Sequence, residues 1–183
     1  MSLLESLDIP LGSPIEHFQL IDPFGKMYSS NEIFGSKGLL IVFTCNHCPY
    51  AIAVWPRLVA LAAEAKVLGI ETVAVNPNIN TAYPDDAPEN MKKKIEEWKI
   101  PFPYLVDEQQ AVARTFRAQC TPDIYLFGSK NTLVYHGRID DNWQDASKVQ
   151  QRELREAIIN LAAGNTIAEK QYPSMGCSIK WRG

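Results

Sequence analysis

Two cysteines separated by two residues, Cys45 and Cys48, are the residues of this sequence best suited to do chemistry. Within one helical turn this spacing brings two sulfur atoms into disulfide range without backbone strain. The apolar strand-like segment Gly38–Phe43 precedes them, and Pro49 suits the first turn of a following helix. Because a helix N-terminus favours a thiolate, the pattern predicts a redox site. Cys45 is predicted to be the more exposed nucleophile and Cys48 the resolving thiol.

The cysteine pair has two other interpretations. A zinc site would need two further ligands besides Cys45 and Cys48. The available candidates, Cys120, His136 and Cys177, each stand alone, without a second ligand at a paired spacing. Alternatively, the two cysteines simply pack in the core. The position between a strand and a helix favours redox chemistry over both alternatives, so no metal is predicted.

His47 lies between the two cysteines and is predicted to tune their redox properties. A partly protonated imidazole beside the thiolates would lower their pKa values and favour the reduced form, which makes the disulfide more oxidising. The alternative is a solvated loop histidine with a weak effect.

Thr121 and Pro122 directly precede a predicted strand and form the candidate substrate-binding segment. Only bonds to proline adopt the cis form readily, and a cis bond here would aim the backbone of Thr121 at the cysteine pair. Its N–H and C=O groups could then hold a substrate segment. The alternative is an ordinary turn proline at the start of a strand.

Two further cysteines lie outside the pair. Cys120 is next to Thr121 and is interpreted as a small packed residue, with a third redox thiol as the alternative. Cys177 lies in the predicted tail, residues 165–183, which is long enough to approach the pair. Cys177 is therefore a candidate additional redox thiol that resolves a second disulfide, and the alternative is a thiol that packs beside Trp181.

Composition limits the classes of protein to which this chain can belong. Its 183 residues suit one domain, 1–183, and 46% apolar with 21% charged residues is typical of a globular protein. A net charge of −3 argues against nucleic-acid binding, and no apolar run is long enough to span a membrane. The first residues do not resemble a secretory signal, so we expect a cytoplasmic protein in which a close cysteine pair is catalytic.

The predicted elements follow the order hairpin, strand, helix, strand, helix, strand, helix, hairpin, helix. Strands alternating with helices predict parallel strands joined by right-handed crossovers, and the antiparallel hairpins make the central sheet mixed. Residues 1–16 are predicted to be an irregular N-terminal arm and residues 165–183 a C-terminal tail. The acidic pairs Asp85–Asp86 and Asp140–Asp141 are predicted to lie in solvated loops.

Residues 14–163 resemble the thioredoxin superfamily, and within it the peroxiredoxin-like branch (AhpC/TSA, redoxin). The resemblance is carried by the hairpin at residues 18–25, the buried strand that leads into Cys45 and Cys48, Thr121 and Pro122 before a strand, and the final helix. It implies a thioredoxin-like three-layer α/β/α sandwich with an N-terminal β-hairpin extension. It also implies that Cys45 attacks, Cys48 is its partner and Pro122 is a cis-proline.

The sequence departs from the family patterns at informative positions. Leu39 stands where thioredoxins have a buried carboxylate, and Thr44 stands where they have a tryptophan. Counted back from Cys45, the threonine position of peroxiredoxins holds Val42. The missing carboxylate argues against efficient thioredoxin-like reduction, and the incomplete threonine motif argues against a peroxidase. The predicted function is a thiol–disulfide oxidoreductase, with a thiol peroxidase that reduces hydroperoxides as the first alternative and a metal-handling or binding module as the second.

The predicted activity determines the expected partners. The substrate is a protein or small-molecule disulfide, with a hydroperoxide as the alternative substrate. Electrons come from another dithiol protein, so no organic cofactor is expected.

Overall fold

The computed structural model describes residues 3–182, which contain ten β-strands and four α-helices. The strands are β1 (Leu3–Glu5), β2 (Gln19–Ile21), β3 (Met27–Ser29), β4 (Gly38–Phe43), β5 (Ile70–Asn76), β6 (Tyr104–Val106), β7 (Cys120–Thr121), β8 (Asp123–Gly128), β9 (Leu133–His136) and β10 (Met175–Ser178). The helices are α1 (Pro49–Val67), α2 (Pro88–Glu97), α3 (Ala111–Thr115) and α4 (Glu153–Ala163). Within these residues no helix has the length and apolar character that a membrane span requires.

Seven strands form the central sheet in the order β3-β2-β6-β5-β4-β8-β9. Strands β4, β5 and β6 run parallel because α1 and α2 carry the chain back across the sheet between them. The other neighbouring strands pair antiparallel, including the early hairpin of β2 and β3. The predicted thioredoxin-like α/β fold with a mixed sheet is therefore confirmed.

Strand β4 is buried along its whole length and divides the core into two layers. On one face, Leu40 and Val42 pack with residues of α1, α2 and α4. On the other face, Leu39, Ile41 and Phe43 pack with residues of α3. A strand covered on both faces has to be apolar at every position, which explains its continuous hydrophobic run. Strand β4 ends two residues before Cys45, so the buried strand fixes where Cys45 lies.

The two terminal segments differ from the sequence prediction. Residues 1–16 were predicted to be an irregular arm and residues 165–183 a tail, yet they contain β1 and β10. These two strands form a second, antiparallel sheet with β7, in the order β1-β10-β7. Cys177 pairs with Leu3 on one side and with Thr121 on the other. Such short strands carry no detectable alternation, and their partners are distant in sequence. The parts of the two predictions that concern residues 1–2 and 183 lie outside the described residues.

Candidate active site

Cys48 is the N-cap residue of α1, and Pro49 occupies the first helical position, as expected from the sequence. The side chains of Cys45 and Cys48 are both 0% exposed. The prediction that Cys45 is the more exposed of the two is therefore wrong. The physical reason is that the turn is covered by other parts of the chain, which include Tyr50 and the strand that contains Cys177.

The peptide bond between Thr121 and Pro122 is cis, which confirms the sequence prediction of the bond. Its role in binding a substrate stays a prediction. The Cys45 Sγ lies 3.2 Å from the Thr121 hydroxyl oxygen, and the Cys48 thiol donates to the Thr121 carbonyl oxygen over 3.2 Å. The candidate substrate-binding segment thus lies directly against both sulfur atoms.

Cys177 completes a buried cluster of three cysteines with Cys45 and Cys48, in which Ala51 also packs. The side chain of Cys177 is 3% exposed, and its thiol is in hydrogen-bond contact with the Cys48 sulfur. The structure holds all four cysteines of the chain as thiols. The predicted approach of the tail to the cysteine pair is thus seen in the structure, although a redox role for Cys177 stays a prediction.

The pKa values of the two cysteines are shifted in opposite directions. The hydrogen bond from the Cys45 thiol is the largest influence that lowers the pKa of Cys48, to about 5, and contacts from Cys177 and the Ala51 N–H support it. Burial raises the pKa of Cys45 well above its ordinary value, and the Cys48 sulfur and the Asp86 carboxylate add to this increase. A sulfur at a helix N-terminus is favoured as an anion, whereas burial favours the neutral thiol.

Removal of the Cys45 thiol should therefore raise the pKa of Cys48. In a Cys45→Ala variant, the pH midpoint of thiolate absorbance near 240 nm should move from about 5 toward the ordinary cysteine value of about 8.5. The control is Cys120→Ala, because Cys120 is buried but donates to the Pro122 carbonyl instead of contributing to this pair. An unchanged midpoint in Cys45→Ala would show that the hydrogen bond between the two cysteines does not set the Cys48 pKa.

Asp86 is a site residue that the sequence interpretation missed. It was assigned to a solvated loop, yet its side chain is 0% exposed and bonds to Nδ1 of His47. The Asn46 backbone N–H donates to the same carboxylate over 2.6 Å, and Asn76 Nδ2 donates over 3.1 Å. The Pro84–Asp86 turn folds back over the cysteine turn, and this long-range contact leaves no local signal beyond an acidic pair beside prolines.

The contact with Asp86 also decides between the two interpretations of the His47 environment. Its ring is largely buried, stacks on Tyr83 and bonds to a carboxylate, so the solvated-loop alternative is wrong. When protonated, this imidazole would be paired with the negative charge of Asp86. Its net positive field at the thiolates would then be weaker than that of an isolated histidine. The redox-tuning role of His47 stays a prediction.

Several buried side chains hold the turn between the cysteines in place. The Tyr104 hydroxyl donates to Asn46 Oδ1 over 3.0 Å, and Asn46 Nδ2 donates to the Asp85 carbonyl over 2.8 Å. Trp55 Nε1 donates to the Cys45 carbonyl over 3.4 Å. The turn is therefore a preorganised element, fixed from β6, from α1 and from the loop after β5.

The remaining zinc candidates do not join the cysteine pair. His136 Nε2 lies 2.8 Å from Asp123 Oδ1, in a buried polar pair on β8 and β9. Cys120 packs in β7, where burial raises its pKa, in agreement with the prediction of a small packed residue. In the described part of the chain, the metal-capable group at this site is instead Cys45, His47 and Asp86, whose ligand atoms lie within 4.8 Å of one another.

The geometry is that of a dithiol held at a helix N-terminus against a cis-proline, and the sequence comparisons agree with it. Residues 11–136 match the profile of the AhpC/TSA family. The chain belongs to the AhpC/TSA family. The AhpC/TSA assignment, together with the fold, places the chain among the thioredoxin-fold redox enzymes. A comparison with curated proteins finds no match.

Several solved structures resemble this chain over most or all of its length. An uncharacterized conserved protein from Geobacillus kaustophilus is 40% identical with a TM-score of 0.94, over 100% of this chain and 97% of its own. A hypothetical protein from Sinorhizobium meliloti 1021 is 34% identical with a TM-score of 0.93, over 98% of each chain. A putative thiol:disulfide interchange protein DsbE from Chlorobium tepidum shares the fold, with 16% identity and a TM-score of 0.66 over 85% of this chain and 99% of its own.

Proposed function

We propose that the protein is a thiol–disulfide oxidoreductase whose working pair is Cys45 and Cys48. Cys48 is the attacking thiolate and Cys45 the resolving thiol, which exchanges the two roles inferred from the sequence. The observation that carries this proposal is the position of Cys48 at the N-cap of α1, with the Cys45 and Cys177 side chains packed against it. The thiolate is the reactive form in disulfide exchange.

The reaction proceeds in two exchange steps. The Cys48 thiolate attacks one sulfur of a substrate disulfide, the substrate S–S bond breaks, and the first substrate sulfur leaves as a thiolate that takes up a proton. The thiol of Cys45 then loses its proton and attacks Cys48 Sγ, which forms the Cys45–Cys48 disulfide and releases the second substrate thiol. The substrate disulfide gains two electrons and the protein dithiol loses two.

The environment of Cys48 favours the reduced protein. A low pKa stabilises the thiolate relative to the disulfide, so the Cys45–Cys48 couple is expected to be oxidising. An external dithiol protein would return the disulfide to the dithiol, and the cysteine chemistry calls for no organic cofactor. We keep the cytoplasm as the proposed compartment, on the basis of the sequence.

Asp86 is proposed to position Cys45 and keep it protonated until resolution. In Asp86→Asn the pKa of Cys45 should fall, because a negative charge that raises it is removed. Resolution of a Cys48–glutathione mixed disulfide should then reach half its maximal rate about one pH unit lower. The matched control is Asp85→Asn, the exposed neighbour. An equal shift in both variants would show that the effect is a general surface-charge effect.

A peroxidase is the second candidate function. The observation in its favour is that both sulfur atoms are fully buried, because a small peroxide reaches a buried sulfur more easily than a protein does. The Cys48 thiolate would attack one peroxide oxygen, the O–O bond would break with release of water or an alcohol, and Cys48 would become a sulfenic acid. The Cys45 thiol would then condense with it to give the same disulfide and a water molecule.

A soft-metal module is the remaining alternative, suggested by the grouping of Cys45, His47 and Asp86. Against it, Asp86 already accepts hydrogen bonds from Asn46 and Asn76, which compete with a metal for its oxygens. Elemental analysis of purified protein, compared with a Cys45→Ser/Cys48→Ser variant, tests this alternative. Stoichiometric metal that is lost in the double variant would favour the metal module over the exchange reaction.

The decisive experiment offers the reduced protein either a protein disulfide, such as insulin, or hydrogen peroxide at equal concentration. Thiol loss is followed over time in the wild type and in Cys48→Ser, with Cys120→Ser as the control. The proposal expects faster oxidation by the protein disulfide, lost in Cys48→Ser and kept in Cys120→Ser. Faster turnover with peroxide, or disulfide exchange that survives in Cys48→Ser, would overturn it.

A further inference from the structure

Strand β10 pairs with the backbone edge at Thr121, the edge that is predicted to bind a substrate. Thr121, the residue before the cis-proline, pairs antiparallel with Cys177, and Cys120 pairs with Ser178. An extended segment paired at this edge is the arrangement expected of a bound peptide in β-augmentation. In this protein the chain itself supplies that segment.

Gly176 makes this close pairing feasible. A Cβ atom at this position would lie 2.1 Å from the Thr121 carbonyl oxygen and 3.1 Å from the Pro122 nitrogen. Both neighbours are backbone atoms, which cannot move aside as a flexible side chain does. Any side chain here would push β10 away from the cis-proline, so the glycine fits the strand to this edge.

The anchors of β10 hold Cys177 at a fixed place. Before the strand, the Ser174 hydroxyl donates to the Gly137 carbonyl over 2.7 Å, and the Ser174 N–H donates to Ser6 Oγ over 3.0 Å. After it, the Lys180 N–H donates to Asn78 Oδ1 over 2.8 Å. On its outer side β10 is covered by β1, whose three residues are exposed. The Cys177 thiol is thus held against Cys48.

We propose that β10 is a built-in substrate segment and that Cys177 is an internal exchange partner of Cys48. Once a Cys45–Cys48 disulfide has formed, the Cys177 sulfur attacks Cys48 Sγ. The Cys45–Cys48 bond breaks, a Cys48–Cys177 disulfide forms, and the proton of Cys177 ends on Cys45. The exchange consumes no oxidant, since one disulfide replaces another.

The packing of the three sulfurs suits this step. Cys45, Cys48 and Cys177 form one buried cluster, so the Cys48 sulfur can bond to either partner. Burial raises the pKa values of both Cys45 and Cys177, which slows attack and departure, so the step depends on this close packing. Because β10 covers the pair, an external protein disulfide reaches Cys48 when β10 leaves the Thr121 edge.

The test maps disulfides by mass spectrometry after oxidation with oxidised glutathione and alkylation of the remaining thiols. Cys45→Ser should form the Cys48–Cys177 disulfide, Cys177→Ser should form Cys45–Cys48, and Cys120→Ser should form the same bonds as the wild type. If Cys45→Ser yields Cys48 with glutathione attached and Cys177 alkylated, the internal exchange is overturned. This inference rests on the proposed function of the Cys45–Cys48 pair. That function is contradicted by a different result, the absence of a Cys45–Cys48 disulfide in Cys177→Ser.

Gly176→Ala tests whether β10 acts as a built-in substrate segment, and it leaves all four cysteines in place. The variant should lose the Cys48–Cys177 disulfide, keep Cys45–Cys48 and reduce insulin at least about tenfold faster than the wild type, because the Thr121 edge becomes accessible. Far-ultraviolet circular dichroism checks that the variant is folded. A folded Gly176→Ala protein with wild-type disulfides and wild-type insulin reduction would overturn the assignment of β10.

Discussion

Cys48→Ser is expected to reduce the rate of disulfide exchange by on the order of 10³-fold or more, whereas Cys45→Ser/Cys177→Ser is expected to trap a mixed disulfide. The first variant removes the thiolate that the α1 N-terminus stabilises. The second leaves the attacking sulfur in place and removes both thiols that could resolve the intermediate. The measurement is non-reducing gel electrophoresis and mass spectrometry after mixing with a protein disulfide.

Two further variants make the trapping experiment specific. Cys45→Ser alone should not accumulate the mixed disulfide, because Cys177 resolves the intermediate and forms the Cys48–Cys177 disulfide. Cys120→Ser should resemble the wild type, since Cys120 is 0% exposed and packs in β7. A mixed disulfide on Cys45 in the Cys48→Ser protein would contradict the proposed order and restore the roles inferred from the sequence.

Trp55→Ala is expected to lower the free energy of unfolding by about 3–5 kcal/mol. The ring is 1% exposed and contacts those of Trp98 and Tyr104, with centroid distances of 5.2 Å and 5.3 Å. Removal of such a side chain loses its burial and leaves a cavity that α1 and β6 cannot close. Urea denaturation of the reduced protein measures the change.

Trp181→Ala is the matched control for the tryptophan substitution. Its side chain is 37% exposed and stacks with Arg114, so its removal should change the free energy of unfolding by less than about 1 kcal/mol. Trp55→Phe separates packing from hydrogen bonding, because it keeps most of the ring but loses the donor to the Cys45 carbonyl. Equal losses in Trp55→Ala and Trp181→Ala would contradict the assigned role of Trp55 in the core.

The sequence predicted those parts of the molecule whose signals are local. The apolar run of β4, the cysteine spacing at the start of α1 and the X–Pro bond at Pro122 are each visible within a few residues. Together they were sufficient for the fold and for the neighbourhood of the cysteine pair. These local signals could not predict the exposure of Cys45, because that exposure depends on segments far along the chain.

Asp86 and Cys177 show why the rest of the site could not be predicted. Sequence reasoning found no carboxylate at Leu39, and the structure places one beside Cys45 from a loop some forty residues away. Cys177 was assigned to a tail, since four residues of β10 carry no periodic signal. Both residues come into place through tertiary contacts, and local propensity contains no information about such contacts.

The pairing of β1 with β10 and of β10 with β7 has a consequence for the order of folding. The pairing of Leu3 with Cys177 closes a loop that spans almost all of the described chain, and contacts of this kind form late. A chain emerging from the ribosome would assemble β4, α1 and the cis-proline segment before β10 exists. Until that strand docks, the nascent protein presents an uncovered, reactive dithiol to every disulfide it meets.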